Sequence, residues 1–248
     1  MTNKSSVNKN ELNKFDKTPE EWWDNSGEFK ILHKINPLRI QYVTDKISEY
    51  FPSSASSFSD LKLIDIGCGG GLISAPLSGM GIKVTALDAN KNSANYFQGN
   101  AKDAKNKELP IDFVNSTIEE YVKVKKNLGA YDVVLCLEVI EHVDNPREFV
   151  QNLTKLLKPN GIIIISTINR TLEAYVQAII MAEYVLRWVK PCTHDHSKFI
   201  KPSELNNMLT ATDCHLKELT GLKFNPMVNS WYFSDNISVN YFAVIAKN

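Results

Sequence analysis

"LIDIGCGGGLISAPL", residues 63–77, decides how this chain is read. An apolar run ends at Ile66, four of the next five residues are glycine, and a helical pattern begins at Leu72. Glycine loses more backbone entropy on folding than any other residue, so a mid-domain cluster marks a tight turn or a place where something lies against bare backbone. Strand, glycine turn and helix in that order open a βαβ unit, and the helix N-terminus offers free N–H groups that suit a carboxylate or phosphate.

Outward from this stretch, short apolar runs alternate with helical patterns. The runs are "LKLIDIG", "IKVTALD", "IDFVNS", "YDVVLCLE", "GIIIISTIN", "HLKELTGL" and "NYFAVIAK". The first five are nearly continuous in apolar character, as parallel strands buried on both faces are. The pattern predicts an α/β fold: a seven-stranded, mostly parallel, Rossmann-like sheet with helices on both faces. Upstream, residues 18–50 read as a helical cap broken at Pro37, and residues 1–17 as a disordered lead-in. A Ser-rich connector, "FPSSASSFSD", joins the cap to the first strand. Residues 18–248 read as a single domain, with 171–200 as an inserted helix and lid segment.

The 28 basic and 28 acidic residues cancel, which argues against the positive field that captures nucleic acid. Cys68, Cys136, Cys192 and Cys214 are scattered, with no C-x-x-C pair, so reduced thiols in a cytoplasmic setting are expected rather than disulfides or thiolate zinc. "MTNKSSVNKNELNKF" has no apolar segment of the secretory kind.

In an open α/β sheet the ligand lies at the carboxyl ends of the strands, where strand order reverses. The second strand ends on Asp88, about twenty residues past the turn, the acidic position that hydrogen-bonds ribose hydroxyls. Together they suggest a nucleoside cofactor. A dinucleotide turn wants G-x-G-x-x-G, and Leu72 stands at the third glycine position. That weakens a nicotinamide-dependent oxidoreductase, which stays open beside a non-catalytic nucleoside-binding protein.

"D-I-G-C-G-G-G" followed by "A-L-D" resembles the class I S-adenosylmethionine-dependent methyltransferases, and "YDVVLCLEVIEHV" and "LLKPNGIIIIST" look like their fourth and fifth strands. "EWWDNSGEFKILHKINPLR", "CLEVIEHV", "INR", "THDHSKFIKPSEL" and "TGLKFNP" together are similar to the ubiquinone-biosynthesis O-methyltransferases, with Leu137 where relatives often carry Met. The resemblance implies S-adenosylmethionine contacts at Arg39, Gly67, Asp88 and Leu137; the close-approach argument adds Gly69. It implies a polyprenylated phenol or quinol as substrate and a ubiquinone-biosynthesis protein complex as a partner.

A phenol must lose its proton to attack a sulfonium efficiently. "E-V-I-E-H" places Glu138, Glu141 and His142 just past a strand end. If that turn is helical, positions i, i+3 and i+4 share a face. Two carboxylates and an imidazole suit Mg²⁺, Mn²⁺ or Zn²⁺, which would act as a Lewis acid on the phenolic oxygens. The resemblance implies the same metal ligands. Alternatively His142 is a general base, or the trio is a capping pair with a packed histidine. His194, Asp195 and His196 read as loop hydrogen-bonding or lid residues.

"TLEAYVQAIIMAEYVLRWV", residues 171–189, is strongly apolar but interrupted by Glu173, Gln177, Glu183 and Arg187. Those charges argue against a span. Two readings stand: a helix lying peripherally on anionic lipid at the inner face of the membrane, with Tyr184, Trp188 and Lys190 at headgroup level, or a helix packed on the core.

Overall fold

The computed structural model describes residues 6, 8, 11, 19–54, 57–93 and 109–248. Its sheet has eight strands in the order β3-β2-β1-β4-β5-β8-β6-β7. β1 (Lys62–Ile66), β2 (Lys83–Asp88), β3 (Ile111–Asn115), β4 (Tyr131–Leu137) and β5 (Leu157–Ile168) run parallel. β8 (Asn240–Lys247) enters antiparallel to β5, and β6 (Cys214–Asn225) and β7 (Ser230–Ser234) follow as an antiparallel hairpin. The strand beyond the seven expected is β7. It is five residues long and sits at the edge, so its sequence carries little of the long apolar signature that buried strands give.

The central strands alternate between two cores, one on each face. Ile64, Val134, Cys136, Ile163, Ile165, Ala243 and Ile245 enter one cluster. Their neighbours Leu63, Val133, Leu135, Ile162, Ile164, Phe242 and Val244 enter the other. Because both sets are buried, these strands read as continuous apolar runs.

Helices cover both faces. α1 (Pro19–Trp23) and α2 (Lys30–Tyr50) form the cap. The expected break at Pro37 does not occur, and α2 runs through it. Pro37 is on the exposed side of the helix, while Ile31, Ile35, Tyr42, Val43 and Ile47 hold the buried side and keep the helix on the body. The chain turns instead at 24–29, where Asp24 accepts hydrogen bonds from Ser26 N and Oγ. α3 (Ser74–Gly79) follows the glycine turn, and α4 (Ile118–Tyr121) is capped by Thr117. α5 (Pro146–Leu156) starts on an Asn145 cap and a first-turn proline and buries Phe149, Val150, Leu153 and Leu156 at helical spacing.

The lead-in, residues 1–17, lies outside the described residues except for Ser6, Asn8 and Glu11. Those three are held on the body: Ser6 Oγ donates to Glu119, the Asp144 amide to Ser6 O at 2.8 Å, and Asn8 Nδ2 to Asp144 at 2.8 Å.

Candidate active site

The chain moves outward from β1 to β2 and β3, then crosses back to β4. The strand order therefore reverses between β1 and β4, and the crevice at their carboxyl ends is where a ligand belongs. Both sequence motifs arrive there: the glycine turn follows β1, and Glu138, Glu141 and His142 follow β4. A cavity of about 980 Å³ opens at this point, large for a small-molecule site. Arg39, Gly67, Gly69, Asp88, Leu137, Glu138, Glu141 and His142 all line it.

Gly67 and Gly69 hold φ of +74° and +52°, a region that side chains rarely adopt. A Cβ at Gly67 would come within 2.5 Å of Val139. At Gly69 the close neighbour is a protein ring: a Cβ there would lie 2.7 Å from Trp22, and one on Gly70 2.5 Å. Trp22 stacks on Phe29 with ring centroids 3.9 Å apart, and Trp23 Nε1 donates to Gly70 O at 2.8 Å. The tryptophan pair of α1 thus lies across the glycine turn, a role the sequence motif did not reveal.

Asp88 accepts from Gly69 N at 2.7 Å through one oxygen and from Asn90 N at 2.7 Å through the other. Burial raises its pKa, and these two amides oppose the shift. Asp65, in β1, accepts from Ser74 Oγ at 2.6 Å and ties the strand to the first turn of α3. Burial, with Asp88 adding to it, pushes the Asp65 carboxyl up to about 6.

Past β4 the one-face geometry expected for Glu138, Glu141 and His142 does not form. Glu138 takes φ +57°, outside any right-handed helix, and the tight turn begins only at Ile140. The three side chains therefore diverge. Glu138 Oε1 lies 3.1 Å from Arg39 and accepts from Ser166 Oγ at 2.8 Å. Glu141 is buried and accepts from Thr167 Oγ1 at 2.9 Å. His142 Nδ1 lies 3.0 Å from Glu11, whose other oxygen accepts from Lys198 at 3.0 Å. Among the described residues no three His, Cys, Asp or Glu are gathered closely enough to hold a metal ion. The donor types still suit a divalent cation, and Glu141 Oε1 has no hydrogen-bond partner. Burial first, then the neighbouring Glu138 charge, raises the Glu141 pKa.

Three further cavity-lining groups are in the same condition: Asn36 Oδ1, Arg39 Nε and Trp231 Nε1 are buried without a partner. Buried polar atoms are normally hydrogen-bonded, so four bare ones on residues that line one cavity set it apart from the rest of the described core. Arg39 was anticipated. Asn36, three residues upstream in the same helix, and Trp231, on the unforeseen β7, were not. Of the second polar cluster, Asp195 caps its own turn by accepting from Ser197, His196 meets Thr171 O at 3.0 Å, and His194 meets Glu183. All four cysteines are free.

The switch-point crevice, the glycine turn and the acidic end of β2 form a site for a nucleoside cofactor, and with the matches that follow they place the chain among the class I S-adenosylmethionine-dependent methyltransferases. A family model described as a methyltransferase domain matches residues 32–219. The ubiquinone biosynthesis O-methyltransferase of Rickettsia felis is 49% identical over 243 residues, covering 98% of this chain and 95% of that one. Its namesake from Rickettsia typhi is 49% identical over 247 residues, covering 98% and 94%. Magnesium protoporphyrin IX methyltransferase from Synechocystis, solved with bound SAH, superposes with a TM-score of 0.60 at 18% identity over 97% of this chain and 95% of that one, which shows the shared fold. The chain belongs to the ubiquinone biosynthesis O-methyltransferase family, and its methyl donor is S-adenosylmethionine. Neither the oxidoreductase nor the non-catalytic reading finds support in these matches.

Proposed function

We propose that the four bare polar atoms on the cavity wall are completed by cofactor and substrate, and that the reaction is methyl transfer to a phenolic hydroxyl of a polyprenylated catechol or demethylated quinol. Arg39, Gly67, Gly69, Asp88 and Leu137 are the cofactor side of this reading. Arg39 suits the methionine carboxylate, as a buried guanidinium with one N–H still unpartnered. Asp88 suits the ribose, as an acceptor at the strand end beside the turn. The observation that carries the proposal is the set of bare donors and acceptors on residues that line this cavity.

A divalent cation on Glu138, Glu141 and His142 belongs to the same reading. Its support is the bare Glu141 oxygen and the mutual repulsion of two neighbouring carboxylates, which a cation relieves. When bound, it supplies Lewis-acid stabilisation of the phenolate. His142 with Glu11 behind it is the metal-free alternative, a general base. Turnover of a soluble catechol with labelled cofactor tests both. Chelation is expected to abolish methylation, leave cofactor binding intact and be reversed by added metal. Full activity after exhaustive chelation removes the cation from this reading and leaves a metal-free base.

We also propose that the inserted segment meets the membrane that holds the prenyl tail. No described helix is long and apolar enough to cross one. Support comes from exposure: Leu172, Tyr175, Val176, Ile180, Tyr184 and Val185 are large apolar side chains open to solvent.

A further inference from the structure

The insert exposes much of its apolar surface, yet it withdraws one charged side chain from water. α6 (Leu172–Ala174) continues as a π-helical run over Tyr175–Val185, and within that run only Glu183 is buried. Its side chain is 0% exposed. An ionised carboxylate withdrawn from water persists only where charge or hydrogen bonds compensate it. Glu183 receives three: Cys192 N at 2.7 Å, His194 N at 2.9 Å and His194 Nδ1 at 3.0 Å. The carboxylate fixes the Nδ1–H tautomer of His194 and leaves Nε2 as the proton acceptor, on a ring that lines the reaction cavity with Glu138 and His142.

We infer that His194 is the catalytic residue that takes the phenolic proton, and that Glu183 is its positioning residue. The inference rests on the O-methylation reading above. The phenolic O–H breaks, its proton goes to His194 Nε2, and the electron pair stays on oxygen. That oxygen forms a bond to the sulfonium methyl as the methyl–sulfur bond breaks, and the departing pair converts the sulfonium into the neutral thioether. The imidazolium is held by Glu183 until its proton passes to water.

His142 is less suited to this role. Its carboxylate partner, Glu11, is shared with Lys198, and a cation on the same carboxylate weakens its hold on an imidazolium. Among the described residues, the hydrogen bonds to Glu183 come instead from Cys192 and His194, with no cation among the donors. Burial lowers the His194 pKa and Glu183 opposes the shift, with His142 lowering it further and Glu138 raising it.

His194→Asn keeps an N–H to offer Glu183, and Glu183→Gln keeps an acceptor while removing the charge. With a soluble catechol, His194→Asn is expected to lower kcat by about 10² to 10⁴. Cofactor Kd, read by calorimetry, should stay within about twofold, since the other interactions are intact. The loss should be partly restored by added imidazole, and should shrink as pH approaches the phenol's own pKa near ~10. Glu183→Gln should move the acid limb of the kcat profile to lower pH, because the remaining neighbours, His142 and Glu138, do not replace its pull on the proton. A structural pin would not move that limb. Wild-type turnover matched by His194→Asn, or a loss that neither imidazole nor high pH relieves, overturns this assignment alone. A wild type that binds cofactor and methylates no catechol overturns the parent reading as well.

Discussion

At the glycine-turn end of the cavity the protein has satisfied its own groups. Asp88 uses both oxygens on the amides of Gly69 and Asn90, Asp65 takes the Ser74 hydroxyl, and Trp22 covers Gly69 and Gly70. Across the crevice the condition reverses. Glu141 Oε1, Arg39 Nε, Asn36 Oδ1 and Trp231 Nε1 are buried and bare, and Glu138 sits in a backbone region that costs about 1–3 kcal/mol for a residue with a side chain. The difference separates two tasks. A turn that must keep its shape between turnovers is held by internal bonds, whereas a wall that must recognise substrate and donor keeps valences in reserve.

The sharpest way to break this contrast is at Arg39, the cation that holds the reactive side together. Its guanidinium is 8% exposed and pairs with a Glu138 that has Glu141 beside it. Arg39→Met leaves two carboxylates without their cation, and is expected to destabilise the fold by about 3 kcal/mol, near the lower end for a broken buried pair. Urea unfolding measures it. Adding Glu138→Gln should recover most of that stability without recovering methylation. A single mutant as stable as the wild type would show that the pair is not the brace described.

Asp88 tests the other side. Asp88→Ala removes the ribose acceptor and also frees the Gly69 and Asn90 amides, so cofactor affinity should fall by about 1.5–3 kcal/mol. Asp88→Asn keeps an acceptor for Gly69 and should lose less. Calorimetric titration that finds the two variants equal would mean that charge at the ribose, rather than support of the turn, sets the affinity.

The same contrast explains what could be read from the sequence. The glycine turn, Asp88 and the central strands follow from local chemistry: positive φ needs glycine, and strands buried on both faces need unbroken apolar runs. The β4 turn does not. "E-V-I-E-H" has the spacing of a helix face, yet the left-handed backbone at Glu138, whose N–H donates to Ser166 O, sends the three side chains to Arg39, Thr167 and Glu11. Those partners come from α2, β5 and the N-terminal segment, none of which a local pattern can supply. The insert shows the same limit. Its apolar periodicity fits a buried helix as well as a surface one, and only the tertiary structure leaves Val176, Ile180 and Val185 uncovered.

Those three residues give a milder test. Val176→Ser, Ile180→Ser and Val185→Ser together should abolish co-sedimentation with anionic vesicles while leaving thermal stability nearly unchanged, because exposed side chains lose no packing. Ile179 is unsuitable for that experiment, since it packs against the cluster of Ile168, Ala174, Phe199 and Val239. Wild-type protein that remains in the supernatant would remove the membrane from the account.

Asp65 sharpens the glycine-turn side through pH. Its carboxyl sits at about 6 in the fold against an ordinary 3.8, so between those values the folded chain keeps a proton that the unfolded chain has lost. The unfolded state binds fewer protons there, and stability from this group falls as pH rises through the window, by at most about 3 kcal/mol once both states are ionised. Asp88 and Glu141, also raised, contribute slopes of the same sign, so the wild-type curve alone does not isolate Asp65. Asp65→Asn retains an acceptor for Ser74 Oγ and has no proton to lose. The difference between wild-type and Asp65→Asn unfolding free energies should therefore swing in favour of the variant as pH rises from about 4 to about 6, and stay flat above. A difference that is constant across that window would mean that Asp65 titrates as a free carboxylate, and that the strand-to-helix tie through Ser74 offsets its burial.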